Sequence, residues 1–262
     1  MWSVVKGLVM DFRQYLARIG YAGEVRPTLG ALSSLQEFHL LSVPFENLDI
    51  HAGKRIILDP ALLFDKIVVM KRGGFCYELN GLFNLLLQEI GFNVRLAMGR
   101  VYDRKLDVYG PEFDHMLVLA EVDGNTWLVD VGFGDFSMHP LRFALDTPLT
   151  DRNGEFVIER HDDDYFRVSR FSSSENRYVT EYLFSPKQRS LADFEPMCLY
   201  HQTSPESHFT RQRVCSIATP TGRTTLRDDR LIITRHGART ETAIGGEPEF
   251  RWALTEHFGI VL

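Results

Sequence analysis

The spacing of hydrophobic positions changes twice along the chain and divides it into three predicted parts. In residues 1–91 apolar side chains recur every three or four positions, which is typical of amphipathic helices. In residues 92–196 the period falls to two, which predicts an antiparallel sheet curled into a small barrel. Residues 197–262 mix strand-like runs with a final helical stripe. The pattern therefore predicts an α+β protein with three domains at these boundaries.

The clearest predicted helix begins at Cys76, after the glycine-containing segment Arg72–Phe75. Gly91 stands where a left-handed helix stop is expected. Two earlier helices are predicted by apolar stripes that begin at Phe12 and after Thr28. The buried face of the Cys76 helix is marked by Leu79, Leu82, Phe83, Leu86, Leu87 and Ile90. The remaining predicted elements are strands at Phe156–Glu159, Tyr165–Phe171, Tyr178–Phe184, Val214–Ala218 and Leu231–Thr234, and a last helix carrying Phe250, Leu254 and Phe258 before Gly259.

The position of Cys76 gives its thiol two possible roles. In the first turn of a helix the backbone N–H groups have no intrahelical partner and the dipole is positive, and both favour a thiolate. Such surroundings can lower the pKa of a thiol from roughly 8.5 by one to several units. Most cysteines at apolar positions are inert packing, however. The residues around Cys76 leave both roles open.

A polar pair stands on a predicted β-hairpin downstream of this helix. Residues 114–122 and 126–131 are rich in β-formers, and Asp123-Gly124 between them is a strong signal for a two-residue turn. In that register His115 and Asp130 lie diagonally on one face of the ribbon, roughly 7–8 Å apart. A slip of one residue would put them on opposite faces. The pair is either a buried histidine satisfied by an aspartate, or a base with its orienting carboxylate.

Six stretches match one known family in the order in which that family carries them. In sequence they are Tyr15–Gly20, Val43–Asp49, Arg72–Asn80, Asp114–Met116, Val129–Gly134 and Tyr200–Phe209. The chain resembles the arylamine N-acetyltransferases through these motifs, and the third stretch is similar to their active-site motif almost letter for letter. The resemblance implies a helical bundle, a β-barrel and an α/β lid around a papain-like cysteine-enzyme core. It also implies that Cys76, His115 and Asp130 form a Cys-His-Asp triad.

The same resemblance implies where substrates bind. A loop of Gly132, Phe133 and Gly134 would lie against the acetyl group and the pantetheine arm of the cofactor. Tyr200 and Phe209 are weaker candidates for the cofactor cleft. Phe45, together with Phe133, would line the pocket for the aromatic acceptor. At the level of the residues alone, Phe45 could equally be core packing and the glycine loop a structural turn.

The implied activity moves an acetyl group from acetyl-CoA, as co-substrate, through a thioester on Cys76 to an arylamine or arylhydrazine, without a metal. Two alternatives stay open at this point. One is a thiol hydrolase, peptidase or amide synthase that uses the same acyl-cysteine, and the other is a non-catalytic binding protein. Arg72 and Glu78, which flank the nucleophile, are expected to brace the loop through hydrogen bonds rather than to react.

Charge narrows the range of partners. The net charge of −6 argues against nucleic-acid binding. Residues 211–239 nevertheless contain seven arginines and only two acids. They are either a solvated basic face or a site for a multiply phosphorylated anion, and coenzyme A is such an anion. The seven are Arg211, Arg213, Arg223, Arg227, Arg230, Arg235 and Arg239.

Cysteine usage and hydropathy suggest a cytoplasmic protein. The three cysteines form no CxxC pair and no disulfide framework, which suits a reducing compartment. Cys198, His201 and His208 lack a fourth ligand for a metal, and Cys215 lies in an apolar run typical of packing. We expect neither a signal peptide nor a membrane span, because no apolar stretch approaches ~18 residues.

Overall fold

Helices dominate the first third of the chain and strands the rest. The computed structural model describes residues 3–5 and 8–262, with side chains from Met10 onward. The helices are α1 (Phe12–Arg18), α2 (Leu29–Ser42), α3 (Leu48–His51), α4 (Pro60–Phe64), α5 (Cys76–Ile90), α6 (Glu195–Thr203), α7 (His208–Arg211) and α8 (Glu247–Phe258). A π-helical turn spans Asp65–Val69 and a 3₁₀ turn spans Leu191–Phe194.

The strands fall into three sheets. In chain order they are β1 (Ser3–Val5), β2 (Leu8–Met10), β3 (Phe45–Glu46), β4 (Asn93–Asp103), β5 (Val108–Tyr109), β6 (His115–Val122), β7 (Asn125–Val129), β8 (Leu141–Arg142), β9 (Leu149–Asp151), β10 (Gly154–Arg160), β11 (Phe166–Ser172), β12 (Arg177–Arg189), β13 (Val214–Thr219), β14 (Gly222–Arg227), β15 (Arg230–Arg235) and β16 (Ala238–Ala243). The strands β1 and β2 are an exception within the part that the sequence predicts as mainly helical, and they lie before the first predicted helix.

Helix α5 is the central element of the helical part. It begins at Cys76, after Phe75 in an extended conformation, and it ends at Gly91, whose φ of 103° is left-handed. Its side chains are buried on nearly every face, as in a helix surrounded by protein. Both predicted ends of this helix are therefore confirmed, and Cys76 occupies its first turn.

The large sheet is antiparallel and nearly closed into a barrel. Its strand order is β8-β7-β6-β4-β12-β11-β10-β9, and β5 pairs with β4. The turn between β6 and β7 has positive φ angles at both Asp123 (51°) and Gly124 (71°), as a type I′ hairpin requires. Val122 pairs with Asn125, so the predicted register is confirmed. The strands β10, β11 and β12 correspond to the three strands predicted between residues 156 and 184.

The smaller sheet combines one short strand from the helical part with four strands from the C-terminal part. Its order is β16-β15-β14-β13-β3, and β3 pairs with β13 through Phe45 and Ser216. Helix α8 packs on this sheet through the predicted apolar stripe and ends at Gly259, whose φ is 65°. Strand β3 belongs to the predicted helical part and β13 to the predicted C-terminal part, so one sheet contains strands from both. The three-domain division stays a prediction.

None of the described helices combines the length and the hydropathy that a bilayer span requires.

Candidate active site

A cleft of about 590 Å³ opens where the barrel meets the smaller sheet. The barrel contributes Asp114, His115 and the loop that begins at Gly132, and the smaller sheet contributes β13 and β14. Cys76 lines the cleft between these two walls and is only 3% exposed. The thiol of Cys76 is therefore buried but lies at the cleft, where a ligand can reach it.

His115 and Asp130 form a buried hydrogen-bonded pair. Nε2 of His115 lies 2.7 Å from Oδ2 of Asp130. His115 is the first residue of β6, and Asp130 follows the last residue of β7. The hairpin register predicted from Asp123-Gly124 thus brings both side chains to the same face. With Nε2 engaged by the carboxylate, Nδ1 is the ring nitrogen left for another partner.

Asn80 connects this pair to the helix of the nucleophile. Its Nδ2 donates to Oδ1 of Asp130 at 2.9 Å and to the carbonyl of Met116 at 2.6 Å. Its Oδ1 accepts the N–H of Val131 at 2.9 Å. Asn80 stands one helical turn after Cys76, so a single rigid helix positions the thiol and the carboxylate. Sequence reasoning missed this role, although the four-residue spacing from Cys76 was a usable signal.

Two further donors complete the surroundings of Asp130. The N–H of Gly132 reaches Oδ1 at 2.9 Å, and the hydroxyl of Tyr182 lies 3.3 Å from Oδ2. Tyr182 had no distinguishing signal in the sequence, because it is a buried aromatic residue in a strand. All these donors are neutral. Among the described residues, His115 is the only lysine, arginine or histidine side chain that contacts Asp130.

Gly132 is packed too closely against α5 to carry a side chain. A Cβ at this position would lie 2.7 Å from Cα of Cys76 and 2.7 Å from Nδ2 of Asn80. The backbone of Cys76 and the side chain of Asn80 therefore require a glycine here. Gly134 has a φ of 93°, a left-handed conformation that suits a turn.

Burial dominates the electrostatics of Cys76. Desolvation raises the pKa of its thiol well above the ordinary value, and the charges of Asp114 and Asp130 raise it further. A hydrogen bond from the backbone N–H of Met116 acts in the opposite direction. Burial therefore opposes the lowering of this pKa that the start of a helix favours. A thiolate at Cys76 would require a positive charge beside it.

The other predicted site residues divide into two groups. Phe45, Gly132, Phe133, Gly134 and Phe209 line the cleft. Tyr200 does not line it. The Tyr200 ring packs against His201, and its hydroxyl lies 3.5 Å from Oε2 of Glu206. We therefore omit Tyr200 from the binding site that we propose below.

The arginine-rich segment also divides. Arg211, Arg223 and Arg227 line the cleft, whereas Arg213 pairs with Asp228 and Glu247. Arg230 and Arg239 pair with Glu241. Nη2 of Arg223 donates to the carbonyl of Gly134 at 2.6 Å, which joins β14 to the glycine loop. Three of the seven arginines thus face the cleft, and at least three others are engaged with acids elsewhere.

A second buried polar cluster lies beneath the loop that leads to Cys76. We call it the charged brace, and its members are Glu46, Asp49, Lys66, Arg72 and Glu78. Lys66 Nζ lies 2.8 Å from both Glu78 and Asp49, and Arg72 lies 2.7 Å from Glu46. Oε2 of Glu78 accepts the N–H of Phe75 at 3.1 Å. Arg72 and Glu78 therefore hold the loop through hydrogen bonds, as expected.

Among the described residues, no group of three or more His, Cys, Asp or Glu side chains is arranged to hold a metal ion. Cys198 and His201 are buried, and Cys198 contacts Gln202.

Comparison with known proteins places this architecture in one family. The N-acetyltransferase family model matches residues 28–262. An arylamine N-acetyltransferase of Mycolicibacterium smegmatis is 34% identical over 97% of this chain and 94% of its own. The pineal gland isozyme NAT-3 of Gallus gallus, also an arylamine N-acetyltransferase, is 32% identical over 97% of this chain and 95% of its own. The solved structure of Mycobacterium marinum arylamine N-acetyltransferase in complex with CoA superposes with a TM-score of 0.87 at 30% identity, covering 95% and 93% of the two chains.

The fold and the family match together define a papain-like cysteine enzyme that transfers acyl groups. The chain belongs to the arylamine N-acetyltransferase family. The resemblance inferred from the sequence motifs is therefore confirmed, and so is the predicted fold class.

Proposed function

We propose that this chain transfers an acetyl group from acetyl-CoA to the nitrogen of an arylamine or arylhydrazine, through a thioester on Cys76. The observation that carries the proposal is the position of Cys76. It stands at the start of a buried helix, in a cleft shared with a histidine that is bonded to a buried aspartate. Family membership supplies the reaction class, and the geometry supports the roles that we propose for these residues.

In the first half-reaction Cys76 is the nucleophile. His115 holds the proton of the Cys76 thiol, and Asp130 keeps the imidazolium oriented and neutralised. The thiolate attacks the carbonyl carbon of acetyl-CoA, and the backbone N–H of Cys76, which has no intrahelical acceptor, is a donor for the oxyanion. The bond to the CoA sulfur breaks. The proton on His115 passes to the departing thiolate, so free CoA leaves and His115 is neutral.

In the second half-reaction the acetyl group moves to nitrogen. The lone pair of a neutral arylamine attacks the thioester carbonyl, and His115 accepts the proton that the nitrogen loses. The Cys76–carbonyl bond breaks, which releases the amide and restores the thiolate beside the imidazolium. Aromatic amines suit this step because they are largely unprotonated at neutral pH.

The apolar floor of the cleft supports an aromatic acceptor. The rings of Phe45 and Phe209 have centroids 6.1 Å apart, and Phe75 lies edge-on to Phe209 at 5.7 Å. The ring of Phe133 packs against His115 at 5.2 Å. These contacts place flat apolar surfaces beside the nucleophile and limit the access of water to the acyl-enzyme.

The arginines of the cleft support binding of a phosphorylated co-substrate. We propose that Arg211 and Arg227 attract the phosphates of coenzyme A, while Arg223 fixes the glycine loop. The M. marinum relative was solved with CoA. We further propose a cytoplasmic location, since Cys76, Cys198 and Cys215 are all free thiols, as in a reducing compartment.

The test is incubation of the protein with acetyl-CoA and no acceptor. Intact-protein mass spectrometry with peptide mapping should find one acetyl group, on Cys76, and addition of an arylamine should discharge it. A label on another residue, or no label, would contradict the proposal. A thiol hydrolase would instead release free acetate quickly without any amine, and Cys76→Ala is the control that must lose the label.

A further inference from the structure

His201 contacts Asp114 and Tyr77, which are adjacent in sequence to His115 and Cys76. Its Nε2 lies 3.1 Å from Oδ1 of Asp114, the residue before His115. Its ring stacks on Tyr77, the residue after Cys76, with centroids 6.1 Å apart and planes 29° apart. His201 is 3% exposed and does not line the cleft, so it does not meet the substrate directly.

The other ring nitrogen of His201 contacts the start of α7, which forms another wall of the cleft. Nδ1 lies 3.0 Å from Oγ of Ser207, and that oxygen accepts the N–H of Phe209 at 3.3 Å. Ser207 is the N-cap of α7, which carries the cleft residues His208, Phe209 and Arg211. The His201 ring also meets the Phe209 ring edge-on at 5.1 Å. One side chain therefore links α7 to the start of β6.

Asp114 is itself firmly held. Oδ2 of Asp114 accepts the N–H of Val101 at 3.2 Å, and its carbonyl accepts the Tyr77 hydroxyl at 3.2 Å. A Cβ on Gly110 would lie 2.3 Å from Oδ2, so the preceding loop closes tightly over the carboxylate. Asp114 is thus a fixed point of the barrel wall rather than a mobile surface acid.

We propose that Asp114 and His201 form a positioning pair that sets the α7 wall of the cleft, with Phe209 and His208, at the working distance from Cys76 and His115. This inference rests on the proposed acetyl transfer and adds two residues that act through others. Displacing a catalytic group by about 1 Å can cost up to ~100-fold in rate. Removal of either member should therefore lower turnover without abolishing the chemistry.

The experiment measures single-turnover acetylation of Cys76 by acetyl-CoA, together with kcat and KM for an arylamine such as aniline. The variants are His201→Leu, Asp114→Ala, the double variant, and His201→Gln, whose polar amide can still contact Asp114. We expect about a 10- to 100-fold loss of kcat/KM in either single variant. The double variant should lose no more than the worse single one, because the two residues act as a unit. His201→Gln should recover part of the loss.

The matched control is His139→Leu. His139 also pairs with a buried aspartate, since its Nδ1 lies 3.0 Å from Oδ2 of Asp151, but neither residue lines the cleft. Its kcat/KM should stay within two-fold of wild type, as should the Cys76 labelling rate.

The outcomes separate the two proposals. If the wild type acquires the label on Cys76 while Asp114→Ala and His201→Leu label and turn over at wild-type rates, the positioning role is wrong and acetyl transfer stands. If the wild type acquires no label, acetyl transfer falls and the positioning role falls with it. Additive losses in the double variant would also overturn the pair. If His201→Leu does not fold, His201→Gln takes its place, alone and together with Asp114→Ala.

Discussion

Two buried polar clusters flank the first turn of α5, and different kinds of polar group stabilise the carboxylates in each. On the cleft side are Cys76, His115 and Asp130, in which the anion is met by an imidazole and by neutral donors. On the other side is the charged brace, in which three carboxylates are met by the fixed cations Lys66 and Arg72. Both clusters make hydrogen bonds to the segment Phe75–Asn80.

The difference supports our proposal that only the cleft cluster reacts. In the charged brace every carboxylate lies against a lysine or an arginine. In the cleft cluster His115 is the only lysine, arginine or histidine side chain, among the described residues, that contacts Asp130. We propose that Asp130 orients the His115 ring for proton exchange with Cys76.

The largest effect should come from exchanging the carboxylate for an amide. In Asp130→Asn the amide N–H₂ would donate to Nε2 of His115, which leaves the proton on Nδ1 and prevents the ring from accepting a proton from Cys76. We expect acetylation of Cys76 to fall by about 10³- to 10⁴-fold while the fold is kept. Stopped-flow or quenched single-turnover assays measure this, with circular dichroism as the check on folding.

Asp151→Asn is the matched control for that change, since Asp151 also pairs with a histidine and is nearly buried. It should acetylate at close to the wild-type rate per folded molecule. A well-folded Asp130→Asn variant with near-normal rates would mean that the aspartate only supports the structure.

A change in the charged brace should act on stability instead. Lys66→Met removes the ammonium that lies 2.8 Å from both Glu78 and Asp49. Carboxylates left buried without that cation should cost about 3–5 kcal/mol of the free energy of unfolding. Urea unfolding measures the loss, and the rate of acetylation per folded molecule should change far less than in Asp130→Asn.

The exposed pair of Lys187 with Asp164 provides the control for Lys66→Met. Lys187→Met should change the free energy of unfolding by less than about 0.5 kcal/mol, because an exposed pair is screened by water. If Lys66→Met were as mild as this control, or if it abolished acetylation while leaving stability intact, the division between the two clusters would be wrong.

The sequence predicted the start of α5 and the hairpin that carries His115 and Asp130 because the geometry of each is local. The turn at Asp123-Gly124 fixes the register by itself, and that register decides that His115 and Asp130 share a face. The start of α5 at Cys76 and its end at Gly91 follow equally from nearby residues. Residues that lie within one hairpin or one helix need no knowledge of the rest of the chain.

The remaining features depend on pairings between distant segments, which no local pattern encodes. The strand β3 is two residues long and pairs with β13 about 170 positions later, so its register carries no periodic signal. His201 and Asp114 meet only because α6 packs against the barrel. The same holds for Tyr182, which reaches Asp130 from another strand of the sheet.

The smallest expected effect is a dependence of stability on pH that comes from Glu78. The charged brace contains three carboxylates and two cations, so one negative charge is in excess. Burial raises the pKa of Glu78 from 4.5 to about 7, although Lys66 opposes the shift. For Lys66 burial acts to lower the pKa, but the carboxylates of Glu78, Glu46 and Asp49 outweigh it and raise that pKa. We therefore assign the one mobile proton of the charged brace to Glu78.

A carboxyl group whose pKa is raised by folding stabilises the folded state most when it is protonated. Its contribution is fully present below pH 4.5, the unfolded value, and is lost as the pH rises through about 7. His39 acts in the opposite direction, since burial lowers its pKa from 6.5 to about 3 and folding then disfavours the protonated form. The informative quantity is therefore the difference between wild type and Glu78→Gln, in which the contribution of His39 cancels.

We expect the wild type to gain stability relative to Glu78→Gln by up to about 3 kcal/mol between pH 8 and pH 4.5, because a shift of one pKa unit is worth about 1.4 kcal/mol. Urea unfolding of both proteins at half-unit pH steps measures the difference. A difference that stays constant over this range would show that Lys66 keeps Glu78 ionised throughout. The charged brace would then carry its excess negative charge over this whole pH range, unlike the cleft cluster, in which we propose that one proton moves between Cys76 and His115.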